Sequence, residues 1–377
     1  MLLYLHVPFC RSKCLYCAFA SEVMTMTGVE IWLKAVQEEI RHWGKALHRP
    51  KMETVYIGGG SPSLLPAYAF TALMKALKTA FVLPEGIEFS MEANPESATD
   101  QDLIKTWRKA GVNRVSLGVQ SFDPAELTQL GRPHGPVEVS AAVERIRAAG
   151  IANLSLDLLW GLPGQRLKSW LDNLKAAVRL GPEHLSCYGL TLEPGTPMAA
   201  NQAGFDWPPE SEQAKMYLYG GDYLEAQGYL QYEISNFARM GYSCRHNQGY
   251  WEGRDYLGLG PSAVSTMAGE RWENPKTVEA YAAMADRRGF GDGRVELTSQ
   301  ERVREILMLA MRTAKGMKLS QYKKLTGLDL PTKYPKLLAA LRQEGLIRIK
   351  NGSLVLTRPG MLVSNVIMGR FLFPEDS

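Results

Sequence analysis

Three cysteines, Cys10, Cys14 and Cys17, fall within eight residues in the spacing C-x3-C-x2-C. Thiolates are the usual ligands of iron–sulfur clusters, and a 4Fe-4S cluster normally takes four of them. Three on one loop would fill three corners and leave one iron open to another ligand. Zinc is the rival; it expects four ligands, commonly as paired C-x2-C and H-x3-5-H halves. No second half follows nearby, although His6 stands close in sequence. A redox C-x2-C at Cys14 and Cys17 leaves Cys10 without a part. Cys187 and Cys244 are far apart, and five cysteines in 377 residues are too few and of the wrong parity for a disulfide scaffold.

A repeat of strand-then-helix units must position that loop. Short apolar runs ending in turn residues read as strands at Leu2–Pro8, Thr54–Gly58, Glu88–Asn94, Arg114–Ser121, Asn153–Leu159 and His184–Leu190. Stretches of helical period lie between them, at Val29–Leu47, Ala69–Phe81, Asp100–Ala110, Val137–Ala149 and Lys168–Leu180. Six such units predict a parallel sheet with helical crossovers, either open and doubly wound or barrel-like. A complete eight-unit barrel needs about 250 residues. Here the repeat stops near residue 192, at LEPGTP, so the fold class expected is α/β with a partial (β/α)6 TIM-like barrel. Chemically useful residues recur at the strand ends: Cys10, Gly58–Gly60, Glu92, Gln120, Asp157 and Tyr188. In barrels those ends form one rim, where the chemistry is done. Singly, each is as well explained by a helix cap or a loop contact; six in register favour a site.

The rest of the chain divides in two. Residues 193–298 are less regular, rich in Tyr, Trp and Gly, and carry CRHNQGYWEGRDYLGLGPSA at 244–263. Residues 299–377 form a smaller, mainly helical unit. Helical patterns at Gln300–Thr313, Leu319–Leu325 and Pro335–Glu344 precede LIRIKNGSLVL, where Asn351–Gly352 signals a hairpin. Three helices and a hairpin suggest a winged-helix-like module, with a last helix over Pro359–Phe371. Residues 299–358 hold 13 Lys/Arg against 4 Asp/Glu, so the mild net charge of +4 averages a basic module with a slightly acidic remainder. Hydrophobic residues at 45% and charged residues at 22% exclude disorder, collagen and coiled coil. No run approaches the ~20 apolar residues of a membrane span. MLLYLHVPFC has no basic leader or cleavage site, so a cytoplasmic protein is expected.

C-x3-C-x2-C after the first strand of a six-unit barrel resembles the radical S-adenosylmethionine (SAM) superfamily. YLHVPFCRSKCLYC resembles its branch related to oxygen-independent coproporphyrinogen III oxidase, over essentially the whole chain. The resemblance implies a radical SAM core in which Cys10, Cys14 and Cys17 hold a 4Fe-4S cluster whose free iron binds SAM. It also implies a SAM site residue by residue. IGGGSPS brings Gly59, Gly60 and Ser61 toward the methionine part. MEANPE brings Glu92 to accept hydrogen bonds from SAM, GVQSFD brings Gln120 and LGRPH brings Arg132 to the same site, and DLLWGLPGQ brings Asp157, a carboxylate suited to the ribose hydroxyls. Tyr4, Tyr16 and Gly189 stand at further contact positions.

Within that branch the oxidase and a related heme chaperone compete, and three features favour the chaperone. Phe19 stands where the oxidase pattern has another cysteine. The sequence starts almost on the first strand, so the oxidase's N-terminal lid is not expected. HNQGYW resembles the chaperone group's HNxxYW motif, which implies heme contact by His246, Asn247, Tyr250 and Trp251. Histidine and cysteine are both heme-iron ligands, and Tyr and Trp offer flat apolar surface. An extended backbone would put Cys244 and His246 on one face. From the residues alone, a structural hydrogen-bonding histidine is the commoner case. The expected partners are heme and heme-accepting proteins, with membrane-bound respiratory enzymes among the candidates. The basic module admits peripheral contact with the inner face of the membrane, a homodimer is one admitted arrangement, and no nucleic acid is expected.

Overall fold

The computed structural model describes residues 1–372. Six parallel strands form its centre: β1 (Leu2–Val7), β2 (Thr54–Gly59), β3 (Glu88–Ala93), β4 (Arg114–Gln120), β5 (Asn153–Trp160) and β6 (His184–Gly189). Each pairs in parallel with the next in the chain. The crossovers carry α1 (Met26–Ala46), α2 (Ala67–Ala80), α3 (Gln101–Ala110), α4 (Pro136–Ala148) and α5 (Leu167–Arg179). Thr25 caps α1 through its hydroxyl, which accepts from the Gly28 N–H, and Asp100 caps α3 in the same way. Val29, Trp32, Val36, Ile40 and Trp43 bury one face of α1.

Strand alternation divides the sheet into two surfaces. Leu3, Leu5 and Val7, Val55 and Ile57, Phe89 and Met91, Val115 and Leu117, Leu154 and Leu156, and Leu185 and Cys187 join the helix-facing core. Cys187 is therefore a core residue. The intervening residues, Tyr4, Tyr56, Glu92, Arg114, Ser116, Asp157, His184 and Ser186, line one inner cavity. The polar stripe visible in the sequence is thus the inside of the partial barrel.

The sheet extends past the six units at both edges. β7 (Asn236–Ala238) pairs antiparallel with β6, and β8 (Tyr256–Leu259) lies parallel to β1 as a seventh parallel strand. Val264–Met267 and Glu270–Glu273 continue antiparallel beyond β8. Among the described residues no pairing joins the two outer edges, so the barrel stays open. Residues 193–298 thus supply strands to both margins of the core.

The last unit has helices Ser299–Met311, Leu319–Thr326 and Pro335–Gln343, and the hairpin Ile347–Lys350 with Ser353–Leu356. Asn351 and Gly352 both have positive φ, as the two-residue turn requires. The final helical stretch is broken into Arg358–Leu362 and Ser364–Leu372. Leu307, Met311, Tyr322 and Leu354 share a core with Tyr217, which lies on the helix Glu210–Ala226. Arg358 forms ion pairs with Asp222 and Glu225 of that helix.

Candidate functional site

The cysteine loop is a closed excursion pinned at its base. Phe9–Cys10 pairs in parallel with Glu22–Val23. Higher up, the Leu15 N–H donates to the Leu130 carbonyl, and the Met198 N–H donates to the Leu15 carbonyl. The side chain of Tyr16 packs beside Leu130, Leu159, Leu162 and Met198. His6 ties the loop to β1: its Nε2 lies 2.7 Å from the Ala20 carbonyl and its Nδ1 lies 3.0 Å from the Tyr4 hydroxyl. Both ring nitrogens are engaged, which removes His6 from the ligand set that the zinc alternative would need.

The three thiols are free and partly exposed at the cavity mouth. Arg132 donates to Cys14 Sγ at 3.4 Å, and the Ser61 hydroxyl stands 3.8 Å from Cys10 Sγ. Burial pushes the Cys17 thiol up. Among the described residues, no three Cys, His, Asp or Glu side chains converge where a single ion would sit.

Below the loop, the strand ends supply the remaining groups. Glu92 accepts from the Tyr56 hydroxyl at 2.9 Å and from the Gly59 N–H at 3.0 Å, and burial raises its pKa to about 7. Ser116 donates to both oxygens of Asp157 at 3.0 and 2.9 Å. Burial raises Asp157 as well. Arg132 reaches inward, with Nη2 donating to Asn94 Oδ1 at 2.7 Å and to the Gly118 carbonyl at 2.6 Å. It is not a surface salt bridge. Gln120 ends β4 at φ +69, beside a register shift against β5. A non-glycine residue in that region is held there at a cost, a pattern that clusters at functional sites.

The glycines have reasons within the protein. A Cβ on Gly59 would stand 2.7 Å from the His6 ring, and one on Gly60 would stand 2.5 Å from the Phe9 carbonyl oxygen. On Gly189 it would meet the Trp160 ring at 2.8 Å. Close packing accounts for their identity before any ligand is considered. Asn94 is the functional candidate that the sequence reading passed over. Its Nδ2 donates to Ser61 and its Oδ1 accepts from Arg132, so it joins two strand ends. The signal was its place in MEANPE, two residues after Glu92.

Tyr4, Tyr16, Gly59, Gly60, Ser61, Glu92, Gln120, Arg132, Asp157 and Gly189 all border a single cavity of about 810 Å³, together with the three cysteines. His246, Asn247 and Tyr250 border it too, at its opposite end, while Trp251 stands outside its lining. That end is the floor, where the strands begin. The backbone there is helical over Arg245–Trp251, with Cys244 as N-cap, which corrects the extended arrangement expected of Cys244 and His246. Glu88 accepts from the Arg245 and His246 N–H groups at 2.8 Å each and anchors that helix to β3. His246 is 2% exposed. Its Nδ1 lies 2.7 Å from Thr54 Oγ1, its Nε2 lies 3.2 Å from the Tyr250 hydroxyl, and its ring stacks on Tyr56. Burial and the nearby Arg114 charge pull its pKa down to about 3, so the ring is neutral.

Comparison with known proteins follows the same outline. The radical SAM superfamily model matches residues 4–181, and the HemN C-terminal domain model matches residues 297–363. The heme chaperone HemW of Bacillus subtilis is 34% identical, over 98% of this chain and 98% of its own. HemW of Escherichia coli is 34% identical, over 98% of this chain and 97% of its own. The solved coproporphyrinogen III oxidase (HemN) of Escherichia coli superposes with a TM-score of 0.86 at 25% identity, covering 99% of this chain and 90% of that one.

Proposed function

From its membership of the radical SAM superfamily, in the family of the HemW heme chaperones, we propose that this chain binds a 4Fe-4S cluster, SAM and heme, and passes heme to acceptor proteins. The observation that carries the choice is the full-length likeness, 34% to a heme chaperone against 25% to the oxidase. Phe19 supports it, standing 64% exposed on the cluster loop where the oxidase pattern has a cysteine.

In this reading Cys10, Cys14 and Cys17 hold the cluster, which when bound supplies the electron for SAM chemistry in this superfamily. Arg132 donates to Cys14 Sγ and fixes Asn94 and the end of β4. Glu92 offers a carboxylate to the methionine amino group, and Asp157 offers one to ribose hydroxyls. Ser61, Gln120, Tyr4 and Tyr16 complete the SAM wall, with Gly59, Gly60 and Gly189 keeping it thin. Heme contact falls to the HNQGYW helix, with His246, Asn247 and Tyr250 facing the cavity and Trp251 behind them. Acceptors in the respiratory membrane would suit the basic module, acting at the inner face of an anionic bilayer from the cytoplasm. No helix among the described residues is long and apolar enough to cross a membrane. The oxidase is the second reading, because its fold matches this chain throughout.

Anaerobically reconstituted protein tests the proposal. It should show a 4Fe-4S spectrum that Cys14→Ala loses, bind hemin saturably, and leave coproporphyrinogen III unchanged in the presence of SAM and reductant. Rapid decarboxylation without hemin binding would overturn the chaperone reading, and a normal cluster in Cys14→Ala would overturn the ligand set.

A further inference from the structure

Arg114 opens β4 at the floor of the cavity and is 2% exposed. Its guanidinium makes no hydrogen bond with any described residue, no carboxylate lies within ion-pair distance, and its Nε is sealed from solvent without a partner. Arginine keeps its proton in proteins. A buried charge without a partner costs several kcal/mol.

The carboxylates around it are committed elsewhere. Glu88 serves the backbone of the HNQGYW helix, Glu92 serves Tyr56 and Gly59, and Asp157 serves Ser116 and Ser155. The hydroxyl of Tyr232 pairs with His184 Nε2 at 2.9 Å. The same cavity runs from Arg114 up to the cysteine loop. Arg114 thus sits at the opposite pole from the thiols, whose loop brings Arg11 and Lys13 to the exposed mouth. A guanidinium fork fits a carboxylate through two parallel N–H donors.

We propose that Arg114 is the anion-binding pole of a second subsite, on the cavity floor, which takes a carboxylate of the tetrapyrrole. The identity of that carboxylate rests on the function proposed above; the subsite itself does not.

The test uses full-length reconstituted protein and two arms. In the first, sodium propionate is titrated against thermal unfolding, with sodium chloride at matched ionic strength as control. A ligand bound only by the folded state raises Tm saturably. Wild type should show that rise. Arg114→Gln should need about tenfold more propionate or show none, and Arg114→Lys should keep part of it, having the charge without the fork. No saturable rise in wild type overturns the subsite.

In the second arm, mesoporphyrin IX and its dimethyl ester are compared by fluorescence. The free acid should bind about tenfold more tightly than the ester in wild type, and lose that margin in Arg114→Gln. Equal binding of acid and ester overturns the tetrapyrrole assignment, as does a tenfold loss of SAM affinity in Arg114→Gln, which would give the carboxylate to SAM. Should wild type bind neither porphyrin, the proposed function fails while the propionate arm still decides the subsite. If Arg114→Gln does not fold, Arg114→Lys and the ester comparison carry both arms.

Discussion

His246 shows how far a residue's type and its setting can diverge. Its type is that of an iron ligand, yet Thr54 and Tyr250 occupy both ring nitrogens. The geometry makes it a wall of the cavity, holding Tyr250 and the start of β2 together. His246→Ala should therefore weaken hemin binding while leaving the Soret maximum and spin state of the bound heme unchanged. An absorbance titration checks this; a shifted Soret band would mean that the ring leaves Thr54 and binds iron. Cys10, Cys14 and Cys17 stood out in the sequence by their spacing, Glu92, Gln120 and Asp157 by recurring at strand ends, and Arg132 only through the resemblance carried by LGRPH. His6, Asn94 and Arg114 did not, since their roles depend on neighbours supplied by other strands. Arg114 read as the first residue of a strand, and only the pairing of β4 with β3 and β5 turns it into a buried cation.

At the scale of elements, the six strands and five crossover helices were legible because short apolar runs ending in turn residues alternate with stretches of helical period. β8 was not: its pairing with β1 joins residues about 250 positions apart in the chain, and YLGL carries no alternation. The HNQGYW helix was missed because seven residues hold too few turns for a periodic signal. The end of β4 shows what an element spends on a site. Gln120 sits in the left-handed region, where a non-glycine residue costs about 1–2 kcal/mol. Glycine there escapes that cost but loses more backbone entropy on folding. Gln120→Gly should thus unfold at higher urea than Gln120→Ala, by about 1 kcal/mol. Both variants lose the side chain at the cavity mouth and should bind SAM more weakly. Urea titration alongside SAM binding separates the two effects; a more stable Gln120→Ala would show that the backbone there is unstrained.

Over the whole molecule, the same burial that builds the cavity sets the response to pH. Burial raises Glu39, Glu92 and Glu233 to about 7. It lowers His6, His184 and His246. Asp157 adds to the first set and His42 to the second. The two sets have opposite signs. A raised carboxylate binds its proton in the folded state, so its contribution is complete below pH ~4.5 and is lost as pH rises toward 7. A lowered histidine contributes fully above pH ~6.5 and loses that contribution as pH falls, because the unfolded chain takes up the proton. Between about pH 4.5 and 6.5 the two sets therefore act on stability in opposite directions and offset one another. Below that window the histidines dominate, joined by carboxylates whose pKa values are lowered, such as Glu53 and Glu96, and stability should fall steeply. Glu39 offers the cleanest probe, since it lies behind the sheet, bonded to Gly260 and Asn274, away from the cavity lining. Glu39→Gln removes one proton from the folded side of the balance. Its stability should then gain on wild type as pH rises across the window, with a slope steeper by about 1.4 kcal/mol per pH unit. Urea unfolding of both proteins at pH 5, 5.5, 6 and 6.5 measures the two slopes. Parallel slopes would mean that Glu39 is already ionised in the fold, with Asn274 and the Gly260 N–H carrying its charge.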